Sequence, residues 1–462
     1  EHYRKVIRCC REHGVEPVVT LHHFSSPKWL IERGGWEAES TVDYFKRYAV
    51  KVVEAFGDEL HYICTINEAN MGLQIAAISK RYMMQMQKAA AARAAAGQAE
   101  SSVQMGMNLQ KMLENRKAAA AESLALFGTE NPQTFQTQRT PEGDLLIMRA
   151  HAAARDAIKA ICPELKVGLT LSLHDLQPEP GCEALAAKEW DEEFTHYLPY
   201  IQNDDFLGVQ NYTRTRIGPD GQLPMPEGAE LTQMGYEFYP QALANVLRAV
   251  AKDFHGDLLI TENGIGTGDD TRRVEFIRQA LAGVQDCLAE SLPIKGYLHW
   301  SLLDNFEWQK GFSMTFGLIA VDRANGQTRH PKPSLAFLGS YAVEDRGEKA
   351  VVAKAVIEEE VFDRTIPQVE VLHIVRYPFV HGAVFTIPLL GCTFGLLHHE
   401  RGRCGVSFHM DGDRGRTRLG KVVLGDLQPQ QRFARHARGS LHLAPVSRAH
   451  SRPPAFGGKF EI

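Results

Sequence analysis

The chain has 462 residues, enough for one large barrel or two to three ordinary domains, so length alone leaves the architecture open. It is 44% hydrophobic and 23% charged, which excludes a disordered polyampholyte and a membrane-inserted protein. With 51 basic and 56 acidic side chains the net charge is −5, which excludes a field that would gather nucleic acid or an anionic membrane.

Eight cysteines are scattered without a CxxC pair or a zinc-type His spacing, so free thiols in a reducing cytosol and no metal site are expected. No signal peptide is visible, and no apolar run reaches the ~18 residues of a membrane helix. Residue 1 is Glu and not Met, so the expectation of a cytoplasmic protein holds for the sequence as it begins.

Up to about residue 340, short β-rich runs alternate with amphipathic helical stretches, the pattern of βα units around a parallel sheet. Six runs read as strands: 17–21 (PVVTL), 62–67 (YICTIN), 166–171 (KVGLTL), 206–210 (FLGVQ), 258–262 (LLITE) and 296–300 (GYLHW). Each is nearly continuous in apolar or β-branched residues and suits burial on both faces. Polar or aromatic residues gather at the ends of five of them: His22-His23, Asn67-Glu68, Asn211-Tyr212, Glu262-Asn263 and Trp300-Ser301. Barrel enzymes carry their chemistry at that face.

Between the second and third runs, residues 71–144 contain AAAARAAAGQAE and ENRKAAAAESLALF, which predicts two or more exposed helices inserted in a βα loop. The methionines of RYMMQMQ are expected to pack, with a gripping surface as the alternative. After about residue 343, runs 369–375 (VEVLHIV) and 383–390 (AVFTIPLL) look strand-like, and the last sixty residues are rich in Arg, His, Gly and Pro without periodicity. The segment 343–462 is expected to be appended and weakly ordered, with a basic tail for an acidic partner as the alternative.

Two carboxylates end buried β runs: Glu68 in CTINEAN and Glu262 in LLITENG. A charge there is costly unless paired or used, and the mouth of a barrel lets two such groups face one substrate. Cleaving a glycosidic bond needs that pair, one carboxylic acid to protonate the leaving oxygen and one carboxylate to meet the oxocarbenium ion. Asn67 can offer an amide to a sugar hydroxyl, and Asn263-Gly264 makes a sharp exit from the strand. In HWSLLDNFEW, residues 299–308, Trp300 and Trp308 offer an apolar platform for a sugar's C–H face, and Glu307 a bidentate acceptor for adjacent hydroxyls.

These residues resemble glycoside hydrolase family 1, the β-glucosidase family. TINEAN is similar to its acid/base motif, ITENG to its nucleophile motif, and WSLLDNFEW with GFSMTFGLIAVD to its sugar-binding and closing segment. TLHHFSSP, GGWE, RAHAAARDAIK, DFLGVQNYTR, MGYEFYP and RHPKPS follow in the family's order, over roughly residues 1–342. The resemblance implies a (β/α)8 TIM barrel and a retaining β-glycosidase without a cofactor, acting on small unphosphorylated β-glycosides. It implies Glu68 as acid/base, Glu262 as nucleophile, His23 and Asn67 as hydroxyl-binding residues, and Tyr212 as a hydrogen-bond partner of the nucleophile. Trp300 resembles the stacking platform, and Glu307 and Trp308 the pair that reads hydroxyls remote from the anomeric carbon. An anionic Glu307 would repel a phosphorylated sugar.

The chain departs from the family pattern in three respects. It opens on a segment resembling the helix before the third strand, so the barrel is expected to lack its first two strands, with a sugar-binding Gln and an Arg. Ala69 stands for a usual Pro, and Gln210 for a usual Asn. The region after residue 343 has no recognised counterpart. Runs 17–21 and 296–300 are therefore expected to present unpaired edges, with the alternative that VEVLHIV and AVFTIPLL cover them. The rival functions are a carbohydrate-binding fragment without turnover and a transglycosylase.

Overall fold

The computed structural model describes residues 1–12, 15–95 and 109–344, together with five strands between residues 373 and 423. At its centre lie six parallel strands: β1 (Val15–His22), β2 (Tyr62–Ile66), β3 (Lys166–Ser172), β4 (Phe206–Gln210), β5 (Asp257–Glu262) and β6 (Ile294–His299), hydrogen-bonded in that order. Each lies within two residues of its expected run, because a strand buried on both faces needs the continuous apolar pattern that marks it in the sequence. The fold is a partial (β/α)8 barrel.

Outward-facing residues such as Ile63, Val167, Leu169, Leu207, Val209 and Ile260 pack into the main core beneath the helices. There Ser40–Phe56 and Pro141–Ile161 lie against each other. The second of these starts where Thr140 accepts a hydrogen bond from Gly143 N and Pro141 occupies the first turn, as helix starts favour. The inner face holds a separate cluster, Val18, Cys64, Phe206, Leu259, Leu298 and Trp300. Toward the C-terminal strand ends this interior turns polar, from Val18 to Thr20, from Phe206 to Gln210 and from Leu259 to Thr261, all buried. Gly208 permits this, because a Cβ there would collide with the side chains of Thr170 and Thr261.

Helices Met71–Ala95 and Leu109–Phe127 occupy the expected insertion. The expectation that its methionines pack does not hold for Met83 and Met84, which are 57% and 48% exposed.

The expected open edges are also corrected. Strand β7 (His373–Val375) pairs antiparallel with β6, and β8 (Ala383–Pro388) pairs parallel with β1. Both lie within the runs that offered the alternative, and they satisfy rows of backbone N–H and C=O groups that an edge would leave unpaired. A further antiparallel sheet, Gly395–Glu400, Arg403–Phe408 and Gly420–Val423, had no clear sequence signal. The basic stretch 432–454 lies outside the described residues. Among the described residues, no helix is long and apolar enough to cross a membrane.

Candidate active site

Glu68 does not end its strand, contrary to the sequence reading. Strand β2 stops at Ile66, and Asn67 and Glu68 form a turn in which Glu68 has φ +42°, a left-handed conformation uncommon for a side chain of this kind. Neighbouring strands hold the turn. Asn67 N donates to His22 O at 2.9 Å and Ala69 N to Thr170 O at 3.0 Å, while Glu68 N donates to Thr170 Oγ1 at 2.8 Å. Asn70, fully buried, fastens the far side: its Nδ2 donates to Ser172 O at 2.7 Å and to Glu193 O at 3.0 Å. Strain at a functional turn persists only when the surroundings over-determine it, and these bonds do so.

Burial and the nearby Glu307 push the Glu68 carboxyl up to about 7, while a hydrogen bond with Ser172 and the charge of His174 act in the opposite direction. Ser172 ends β3 and His174 lies just beyond it, at the one strand end where the sequence reading placed no polar group. Glu193 holds His174, its Oε1 lying 2.9 Å from Nδ1.

Glu262 closes β5 as expected. Tyr212 Oη donates to its Oε2 at 2.6 Å. The phenol is raised well above its ordinary range by burial first and then by the charges of Glu262, Glu68 and Glu307, so it stays protonated. Beyond Glu262 the chain leaves the strand through Gly264, whose missing Cβ admits the carbonyl of Trp300. Asn263 Nδ2 donates to Asn211 O at 2.7 Å, and Tyr297 Oη donates to Asn263 Oδ1 at 2.9 Å, so the ends of β4, β5 and β6 are tied together.

Glu307 is raised by burial and lowered in part by a hydrogen bond from the Trp300 side chain. Its Oε2 is buried without a partner, an acceptor that a ligand hydroxyl would satisfy. Aromatic rings wall the same space: His23 lies 6.1 Å from both Trp300 and Trp308, and Phe24 lies 5.1 Å from Trp308. His23 is pushed down to about 4 by burial and is neutral at ordinary pH, with Asn67 Nδ2 3.2 Å from its Nε2. All eight residues singled out from the sequence, His23, Asn67, Glu68, Tyr212, Glu262, Trp300, Glu307 and Trp308, thus meet at the C-terminal ends of the strands.

Two further residues belong to this group. They are Ser172 and Tyr236, which is 36% exposed at the surface while its phenol is pushed up to about 12 by desolvation and by the charges of Glu68 and Glu307. It had been visible only as part of MGYEFYP. Among the described residues, no group of three or more His, Cys, Asp or Glu side chains is arranged to hold a metal.

The sequence model of glycosyl hydrolase family 1 matches residues 1–99 and 191–346. The chain belongs to this family. It is therefore a glycoside hydrolase. A crystal structure of beta-glycosidase BGL167 is 39% identical, superposes with a TM-score of 0.64, and is matched over 76% of this chain and 78% of its own. A beta-glucosidase from Agrobacterium sp. is 24% identical over 69% of this chain and 70% of its own length. A 6-phospho-beta-galactosidase from Lacticaseibacillus casei is 25% identical over 74% of this chain and 78% of its own. The family membership accounts for the barrel. It leaves the sugar and the stereochemical course to the site.

Proposed function

We propose that the chain is a retaining β-glycosidase that releases unphosphorylated sugars from small β-glycosides. The observation that carries this reading is the 2.6 Å bond from the Tyr212 phenol to Glu262 Oε2, together with a Glu68 carboxyl pushed up to about 7 at the same end of the sheet. Glu262 Oε attacks the anomeric carbon while Glu68 gives its proton to the departing oxygen, so the glycosidic C–O bond breaks as an ester bond to Glu262 forms. Glu68, now a carboxylate, takes a proton from water, whose oxygen displaces Glu262 and restores both groups. Two inversions at one carbon give net retention. Besides the substrate and one water, both steps use only side chains.

Glu307, Asn67 and His23 bind the sugar hydroxyls, and Trp300 and Trp308 cover its apolar face. The carboxylates of Glu262 and Glu307 repel a phosphate, which favours the beta-glucosidase relative over the 6-phospho-beta-galactosidase as a guide to substrate. We also take residues 1–342 as the catalytic barrel, and residues 343–462 as a segment whose strands cover its edges. A cytoplasmic location belongs to the same proposal, on the sequence pattern of eight scattered cysteines without a CxxC pair.

Release of 4-nitrophenol from 4-nitrophenyl β-D-glucoside tests the reading. Turnover that disappears in Glu262→Gln is expected. An inactive chain that still binds the sugar would favour the carbohydrate-binding alternative.

A further inference from the structure

Gln210 is wholly buried at the end of β4, where the resemblance leads one to expect Asn. Its Nε2 donates to Asn67 Oδ1 at 2.8 Å and to Thr170 Oγ1 at 3.1 Å. Thr170 Oγ1 in turn donates to Asn67 Oδ1 at 3.1 Å and accepts from Glu68 N at 2.8 Å. The capacities close. The Thr170 hydroxyl gives its one proton and fills two lone pairs, and Asn67 Oδ1 receives two donors and can accept no more.

The orientation of the Gln210 amide follows from the same count. Its Oε1 is buried without a partner. Turning the amide over would face that oxygen to Asn67 Oδ1, setting two acceptors together and stripping both Asn67 and Thr170 of a donor. Turning the Gln210 and Asn67 amides together would reverse these bonds but leave both Gln210 N–H donors buried without a partner, and one unpaired acceptor costs less than either arrangement. An Asn at this position would fall short by one methylene, roughly 1.5 Å, and its amide would not reach Asn67.

We infer that Gln210 is a positioning residue that sets the donor–acceptor polarity of the sugar-binding edge. With Asn67 Oδ1 occupied, the Asn67 amide must present its Nδ2 hydrogens toward His23 and the cleft. His23 Nε2, 3.2 Å away, is then the acceptor, and the imidazole carries its proton on Nδ1. A sugar hydroxyl in this corner meets a donor at Asn67. The same stitch holds the backbone of Glu68 in its left-handed turn. The inference about the ring stands on the hydrogen bonds, and its consequence for sugar binding rests on the glycosidase reading above.

The test has two arms. In histidine-15N-labelled protein, with His23 assigned by its loss in His23→Gln, the ring is expected to show a bare Nε2 and a protonated Nδ1. Gln210→Met, which keeps the length but removes the donor, is expected to give mixed tautomers. In the kinetic arm, Gln210→Met is expected to lower kcat/KM for an aryl β-glucoside by roughly 10-fold or more, and by less than about threefold in an Asn67→Ala background. A purely structural role would cost the same in both backgrounds. An Nε2-protonated His23 in the parent protein overturns the inference whether or not the variants fold, and so do equal kinetic penalties. Absence of all turnover would sink the glycosidase reading, while the imidazole spectrum would still decide the role of Gln210.

Discussion

Tyr212 Oη and Glu262 Oε2 lie 2.6 Å apart, with the phenol as donor. The bond holds one oxygen of the carboxylate and so restrains its rotation. Removing the hydroxyl in Tyr212→Phe should lower kcat for an aryl β-glucoside by roughly 10- to 100-fold, the worth of a hydrogen bond to a charged group. The far-UV circular dichroism should not change, since the ring still packs near Phe316. An unaltered kcat would show that Glu262 is oriented by other means.

Glu68→Gln separates the two carboxyl roles. Substrates with a good leaving group need little protonation, so glycosylation of Glu262 should largely survive for a dinitrophenyl glucoside and collapse for an alkyl glucoside. Pre-steady-state release of the phenol reads this step directly. Equal losses on both substrates would contradict the assignment of Glu68 as the proton donor.

The pH dependence follows from the Glu68 carboxyl, pushed up to about 7. The first step needs it protonated, so kcat/KM should fall as pH rises through about 7. Glu307 is among the groups that raise it, and Ser172 among those that lower it. Glu307→Gln should therefore move this limb to lower pH and Ser172→Ala to higher pH. Both shifts can be read from the remaining activity, and movement in the opposite sense would break the electrostatic account.

The same shift makes a statement about stability. Glu68 binds its proton more tightly folded, near 7, than at its ordinary value of 4.5. Its favourable contribution is thus complete below 4.5 and lost as pH rises through about 7. Glu68→Gln, neutral throughout, should raise Tm relative to the parent at pH 8 and leave little difference at pH 4. The gain at pH 8 is on the order of 1–3 kcal/mol. Parallel melting curves at both pH values would refute it.

Strands β7 and β8 make a prediction about association. Ending the chain after Glu344 removes the partners of β6 and β1 and exposes both edges of the six-stranded sheet. Light scattering should then show aggregation that the full chain resists. A monodisperse truncated protein would mean that these pairings do not protect the sheet.

The parts of this molecule legible in its sequence are those with a repeating or extreme signal. The six central strands announce themselves because burial on both faces demands unbroken apolar runs. Glu68 and Glu262 stand out as charges at the ends of such runs. Ser172, His174 and Asn70 gave no such signal, since a short polar residue after a strand looks the same whether it faces solvent or a carboxyl. That Glu68 sits in a turn beyond β2 depends on hydrogen bonds to His22 and Thr170 of neighbouring strands, which no local pattern encodes. The pairing of β7 and β8 with the central sheet is likewise a long-range choice. Their β-rich sequences suggested strands, but only the unpaired edges of β1 and β6 gave those strands a place.

The central claim is that Glu262 forms a covalent bond with the sugar. Mass spectrometry of the protein treated with a 2-deoxy-2-fluoro β-glucoside bearing a dinitrophenol leaving group tests it most directly, because the fluorine slows release of the intermediate. The account predicts one fluoroglucosyl group on the peptide containing LLITENG, attached through Glu262, and none in Glu262→Gln. A label on another residue, or rapid hydrolysis with inversion and no label at any time, would contradict it.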